Sequence, residues 1–129
     1  MEAHSVDKLP IEAGQPQGYH GWRRKFVCVV IILPSGALLQ RGTEHVNHSP
    51  DGFEWGYGGS GPAQLAFAIL LHHSGLEAAL SYYQRFKAEV IQNITDDTWT
   101  IPKESVTKWL EATIKAEEEK EKEELENPN

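Results

Sequence analysis

The chain has 129 residues, a formal net charge of -7, 40% apolar residues and a single cysteine, Cys28. That is one domain's worth of material, able to bury about two-thirds of its unfolded surface without help from a metal or a disulfide. One cysteine excludes an internal disulfide, and the acidic balance argues against general nucleic-acid binding, because phosphate neutralisation needs a basic footprint.

Met1 to Gln17 carries Pro10, Gly14 and Pro16 without periodicity and is expected to form a flexible N-terminal arm (residues 1–17). Its Glu2, Asp7 and Glu12 are unlike the basic start of a signal peptide. A single domain is expected over residues 18–115. Tyr19 to Arg24 alternates loosely between aromatic and polar positions. The eight residues Phe26 to Leu33 are an unbroken, β-branched run, which predicts a strand buried on both faces. That run is far short of the roughly 20 residues needed to cross a bilayer, so no membrane segment is expected. Cys28 lies inside it and reads as a small buried hydrophobe, consistent with a reducing compartment. Pro34-Ser35-Gly36 is a turn signal that returns Ala37 to Arg41 as the antiparallel partner.

Gly42 to Gly61 has neither helical nor strand period, and connections this long are uncommon in compact domains unless functional or disordered. Phe53, Trp55 and Tyr57 argue against disorder, and their alternation predicts a short strand through Phe53 to Tyr57. A first helix opens at Ser60-Gly61-Pro62, with Ser60 or Gly61 as N-cap and Pro62 near the first helical position. Ala63 to His73 is apolar nearly all round, which marks the central buried helix, and Gly75 ends it. A second helix runs from about Leu76 to Ile94, with Leu76, Leu80, Tyr83, Phe86, Val90 and Ile94 as one stripe and Tyr82 more exposed. Thr98 to Ile101 suits a short edge strand. A third helix begins near Pro102 and buries Val106, Trp109, Leu110 and Ile114, with Trp99 also in the core. Glu117 to Glu126 holds seven glutamates against two lysines, so residues 116–129 are expected to be an acidic, solvent-exposed tail. The fold class is therefore α+β: an N-terminal antiparallel hairpin or small sheet packed on three helices.

The candidate site is Trp55-Gly-Tyr-Gly-Gly-Ser-Gly-Pro62. Four glycines between Gly56 and Gly61 let the backbone approach a ligand closely, and the loop empties into a helix N-terminus that favours an anion. Trp55 and Tyr57 could stack on a planar group. The expected ligand-binding set is Arg41, His48, Trp55, Tyr57, Gly58, Gly59, Ser60, Gly61 and Gln64. Since no lysine or arginine lies between Gly42 and His72, the cation must come from Arg41, Arg23, Arg24 or His48. The pattern is neither a P-loop nor a dinucleotide fingerprint. The alternative is that the glycines serve packing, with Trp55 and Tyr57 filling the core.

His45, His48, His72 and His73 lack the spacing of a zinc site, and no metal or cofactor is expected. No spacing joins a nucleophile to its base and orienter, so no catalytic residue is assigned. A hydrolase or transferase built on His48 and Ser60 is kept only in reserve.

The stretch Asn47-His-Ser-Pro-Asp-Gly-Phe-Glu-Trp-Gly-Tyr-Gly-Gly-Ser-Gly-Pro-Ala-Gln-Leu-Ala66 resembles the signature of a family of small uncharacterised proteins, a domain of unknown function found in bacteria and bacteriophages. The resemblance continues through Tyr83-Gln-Arg-Phe-Lys87 to about Trp99 and leaves the arm and the tail outside. It implies a bacterial or phage setting, with the cytoplasm of a bacterial host cell as the expected compartment, and supplies no activity, cofactor or catalytic residue. Two functions follow as expectations. The first is a non-enzymatic binder sequestering a nucleotide-like or other small anionic ligand at the glycine-rich loop. The second is an interaction module that inhibits a bacterial host defence or regulatory protein. A homo-oligomer is open in either case.

Overall fold

The computed structural model describes residues 16–126. The arm expected over residues 1–17 falls mostly outside them, as do the last residues of the tail. The fold is α+β, with strands β1 (Gly18–Arg24), β2 (Val27–Leu33) and β3 (Ala37–Leu38), helices α1 (Ser60–Ser74) and α2 (Leu76–Glu89), strand β4 (Thr98–Pro102) and helix α3 (Lys103–Glu126). The sheet is antiparallel throughout, in the order β3-β2-β1-β4.

The β1–β2 hairpin turns through Lys25 and Phe26, pairing Arg24 with Val27. Lys25 takes a left-handed φ of 57°, as the first central residue of a tight hairpin turn must. Strand alternation then sorts the sheet into two unlike faces. Tyr19, Val30 and Trp99 are buried, with Ile32 and Ile101 packed beside them, and all five face the helices. Gly21 pairs with Trp99, and a Cβ at Gly21 would run into the Trp99 indole, so only glycine admits that ring. The opposite face carries Val27 at 60% exposure and Leu38 at 63%, with Trp22, Val29 and Ile31 half-buried. β2 is therefore not buried on both faces. Its apolar run has the composition of a two-sided strand, yet the three helices all lie on one side. Cys28 is likewise half-buried rather than buried.

α1 is the centre of the domain: Gly61 through Leu70 are all buried. It begins at Ser60 with Gly59 as N-cap, slightly earlier than Ser60 or Gly61 would have placed it, and Gly75 caps its far end. In α2 the buried residues are Ala79 and Phe86, whereas Leu76 and Leu80 of the expected stripe are exposed. α2 also stops at Glu89, and a single 3-10 turn, Ile91–Asn93, replaces its last turn. In α3 the stripe is Val106, Leu110 and Thr113, with Trp109 half-buried and Ile114 exposed. The helix continues through the glutamate-rich stretch to Glu126 with every residue after Thr113 exposed. Phe53 to Tyr57 is not a strand. Phe53 and Trp55 do point inward, but that segment has no strand partner.

No described helix is long and apolar enough to cross a membrane.

Candidate functional site

The long connection that ends in the glycine-rich loop is held to the domain by two main anchors, Trp55 and Gln64. Trp55 is only 2% exposed; its indole N–H donates to the Asp96 carbonyl at 2.9 Å and its ring meets Trp99 edge-on at 5.4 Å. The Arg23 guanidinium lies 4.6 Å above the Trp55 ring and pairs with Glu54 at 2.7 Å and Asp97 at 2.6 Å. With the ring buried and one face under Arg23, Trp55 is core and is not free to stack on a ligand. The cation that the loop lacked does arrive from β1, but it meets carboxylates of the chain itself.

Gln64 supplies the second anchor. It is 0% exposed in the first turns of α1. Its Oε1 accepts from the backbone N–H groups of His48 (2.7 Å) and Ser49 (3.1 Å). Its Nε2 donates to the carbonyls of Arg41 (2.7 Å) and Val46 (2.9 Å). A carboxamide has two donor hydrogens and two principal acceptor positions, so all are engaged. Arg41, His48 and Gln64 are thus brought together, through backbone contacts that pin the 41–49 segment onto α1. The side chain of Arg41 is exposed. The His48 ring bonds Tyr83 Oη at 2.7 Å, and Tyr83 packs edge-on against Phe67.

The glycines have separate roles. Gly56 has a φ of 90°, a left-handed value that its N–H bond to the Ile91 carbonyl requires. Gly61 lets Glu54 lie against the first turn of α1, since a Cβ there would stand 2.6 Å from Glu54 Cβ. Tyr57 is 52% exposed and its ring lies over Gly59, while Ser60 and Gly58 face solvent. Among the described residues no hydrogen bond joins His48 to Ser60, and no group of three or more His, Cys, Asp or Glu side chains could hold a metal ion.

Beside this loop the Cys28 thiol, Glu54 and Arg23 form a connected group that the sequence did not single out as a unit. Burial, then the neighbouring Glu54 carboxylate, pushes the Cys28 thiol up to about 11. Burial also pushes Glu54 upward, but bonds from Arg23, Cys28 and the Trp55 N–H outweigh it, leaving the carboxyl below its ordinary value. A protonated thiol beside an ion pair is a poor nucleophile. Glu54 stands out in the sequence as an acid in the glycine-rich segment, but nothing in the spacing ties it to Arg23 across 31 positions.

A four-stranded antiparallel sheet backed on one face by three helices, with a glycine-rich loop stapled to the central helix, defines a small α+β domain of a single core. Residues 19–112 match the model of a family described as a family of unknown function, DUF6166, and the chain belongs to that family. No curated protein and no solved structure matches it.

Proposed function

We propose that the chain is a non-catalytic protein-docking module, and that the uncovered face of its sheet receives a partner protein presenting an apolar strip edged with carboxylates. One observation carries this reading. At the β1–β2 turn, Trp22, Arg24, Lys25, Phe26, Val27 and Val29 line an open cleft of about 620 Å³, and Phe26 is 100% exposed. Clusters of exposed apolar side chains mark interaction sites, and aromatic and arginine side chains supply most of the energy at such sites. The four strands contain no Asp or Glu, although the whole chain carries a net charge of -7. The cleft is therefore locally basic, which selects an acidic rim on the partner. In the bacterial or phage setting that the resemblance implies, a host regulatory or defence protein is the partner class.

The test is site-directed photocrosslinking in the bacterial cell, with a benzophenone side chain placed at Phe26, Val27 or Leu38 and, as control, at exposed Gln84 on α2. Adducts confined to the sheet positions and suppressed by Arg24→Glu with Lys25→Glu are expected. Equal labelling from position 84, or none from the sheet, refutes the reading. An adduct of twice the chain mass assigns the face to a second copy.

The small-ligand reading retains the exposed part of the loop, where Tyr57 and Ser60 stand at the start of α1. Native mass spectrometry of gently purified protein tests it, and a bound mass of a few hundred daltons lost on denaturation is the supporting result.

A further inference from the structure

A second feature lies at the opposite end of α1 from the glycine-rich loop. β1 begins there, α1 ends, and β4 passes into α3. Tyr19, Ile32, Leu33, His72, His73 and Lys103 surround a cavity of about 170 Å³. We propose that this cavity binds a small aliphatic carboxylate, with the carboxylate facing His72 and Lys103 and the short chain lying against Ile32 and Leu33.

The hydrogen-bond geometry fixes what each group can offer. Tyr19 Oη lies 2.8 Å from His72 Nδ1. Burial pushes the Tyr19 phenol up to about 12, so it stays protonated at neutral pH and donates to that nitrogen. Neutral His72 then carries its hydrogen on Nε2, which has no partner among the described residues. His73 is fully occupied: Nε2 bonds Thr107 Oγ1 at 2.9 Å and Nδ1 bonds Ser74 Oγ. Since the Thr107 hydroxyl already donates to the Lys103 carbonyl, His73 Nε2 is the donor in that pair. His73 therefore makes no direct bond to the anion and responds to it only by taking up a proton.

The electrostatics are one-sided. Burial, then the charge of Lys103, holds His73 below its ordinary value, and a bond to the Lys103 backbone only partly offsets them. Glu104, next along α3, is turned to Lys108 at 3.7 Å. His72, His73 and Lys103, from two helix ends, thus give one small space three basic side chains, with Lys103 supplying its standing positive charge. An anion in that space favours the charged form of His73, so by linkage its binding takes up a proton.

Size and wall chemistry choose among anions. At about 30 Å³ per water-sized volume the cavity holds roughly five or six heavy atoms. That suits a short-chain acid and is well below the roughly 300 Å³ at which pockets for drug-sized ligands begin. Ile32 and Leu33 favour a ligand with an apolar end over inorganic phosphate.

The experiment is a titration of the labelled full-length chain with sodium butyrate, followed through the imidazole resonances of His72 and His73 at pH 6 and pH 8. Saturable shifts are expected, with affinity several-fold higher at pH 6 than at pH 8, because the anion and a proton on His73 favour one another. The His73 titration midpoint should move up in the presence of butyrate. Lys103→Met and His72→Gln should each weaken binding several-fold while the backbone spectrum stays that of the folded protein. Shifts that never saturate, an equal response to sodium chloride or 1-butanol, tighter binding of phosphate than of butyrate, or unchanged affinity in both variants would overturn the assignment.

Discussion

Gln64→Leu tests whether the 41–49 segment is held to α1 by one side chain. The substitution keeps volume and helix propensity but removes every bond the carboxamide makes. Two backbone N–H groups, at His48 and Ser49, and two carbonyls, at Arg41 and Val46, lose their partner. A net loss of about 1 kcal/mol for each gives about 4 kcal/mol. Arg41 and His48 are exposed, so water recovers part of that, and about 3 kcal/mol is the expected loss. For a domain of this size the melting temperature should fall by roughly 10–15 °C. Gln64→Glu separates bonding from shape. Its carboxylate still accepts from the two N–H groups but confronts two carbonyls in a fully buried site, which raises its folded-state pKa. Stability relative to the wild type is then greatest below the unfolded glutamate value of about 4.3 and is lost as pH rises through the folded value. Urea unfolding followed by circular dichroism at pH 4.5 and 7.5, with the wild type measured alongside, reads both effects. A Gln64→Leu protein within about 0.5 kcal/mol of wild type, the range of surface substitutions, would refute the staple. So would a Gln64→Glu deficit equal at the two pH values.

Three further outcomes follow from the same packing. Gly21→Ala drives a methyl into the Trp99 ring and should destabilise by about 1–3 kcal/mol, with a changed near-ultraviolet dichroism; a wild-type urea midpoint would show that the ring moves aside freely. The Cys28 thiol, at about 11 against an ordinary 9.0, has roughly a hundredfold less thiolate at pH 8, so iodoacetamide should alkylate it about two orders of magnitude more slowly than in the urea-unfolded chain. Equal rates would contradict the burial of the thiol against Glu54. Arg23→Met removes the partner that outweighs burial at Glu54. A depressed carboxyl gives stability above its unfolded value that is lost as pH falls through the folded one, so the decline in the urea midpoint between about pH 5 and pH 3 should be shallower in the variant. A parallel decline would mean that Glu54 is held by something else.

The sequence made some of this architecture legible and hid the rest for physical reasons. An all-apolar helix between a glycine-rich loop and Gly75 can only be central, and α1 is. The turn at Pro34-Ser35-Gly36 and the short strand near Trp99 follow from local chemistry and stand where expected. The bare face of β2 was hidden because Val-Cys-Val-Val-Ile-Ile-Leu reads the same whether one face or two are covered. The stripe of α2 shifted because Ala79, too small to register in an apolar pattern, is fully buried while the larger Leu76 and Leu80 are left outside. The pairing of Arg23 with Glu54 and Asp97 joins distant segments, and periodicity carries no information about it.

The glycine-rich loop shows why composition could locate an unusual segment without deciding its use. Glycines, flanking aromatics and a helix start are what a ligand cradle needs, and equally what a long connection needs in order to fold back onto its own helix. Unused bonding capacity separates the two. Trp55 is buried with its N–H engaged, Gln64 has no valence left, and the Arg23 guanidinium from β1 already holds two carboxylates. Capacity remains elsewhere: on Phe26 and the cations beside it, and at the small cavity beside His72. A folded domain retains exposed aromatics and clustered like charges at a cost in solubility and self-repulsion, so those two places are where binding should be sought first.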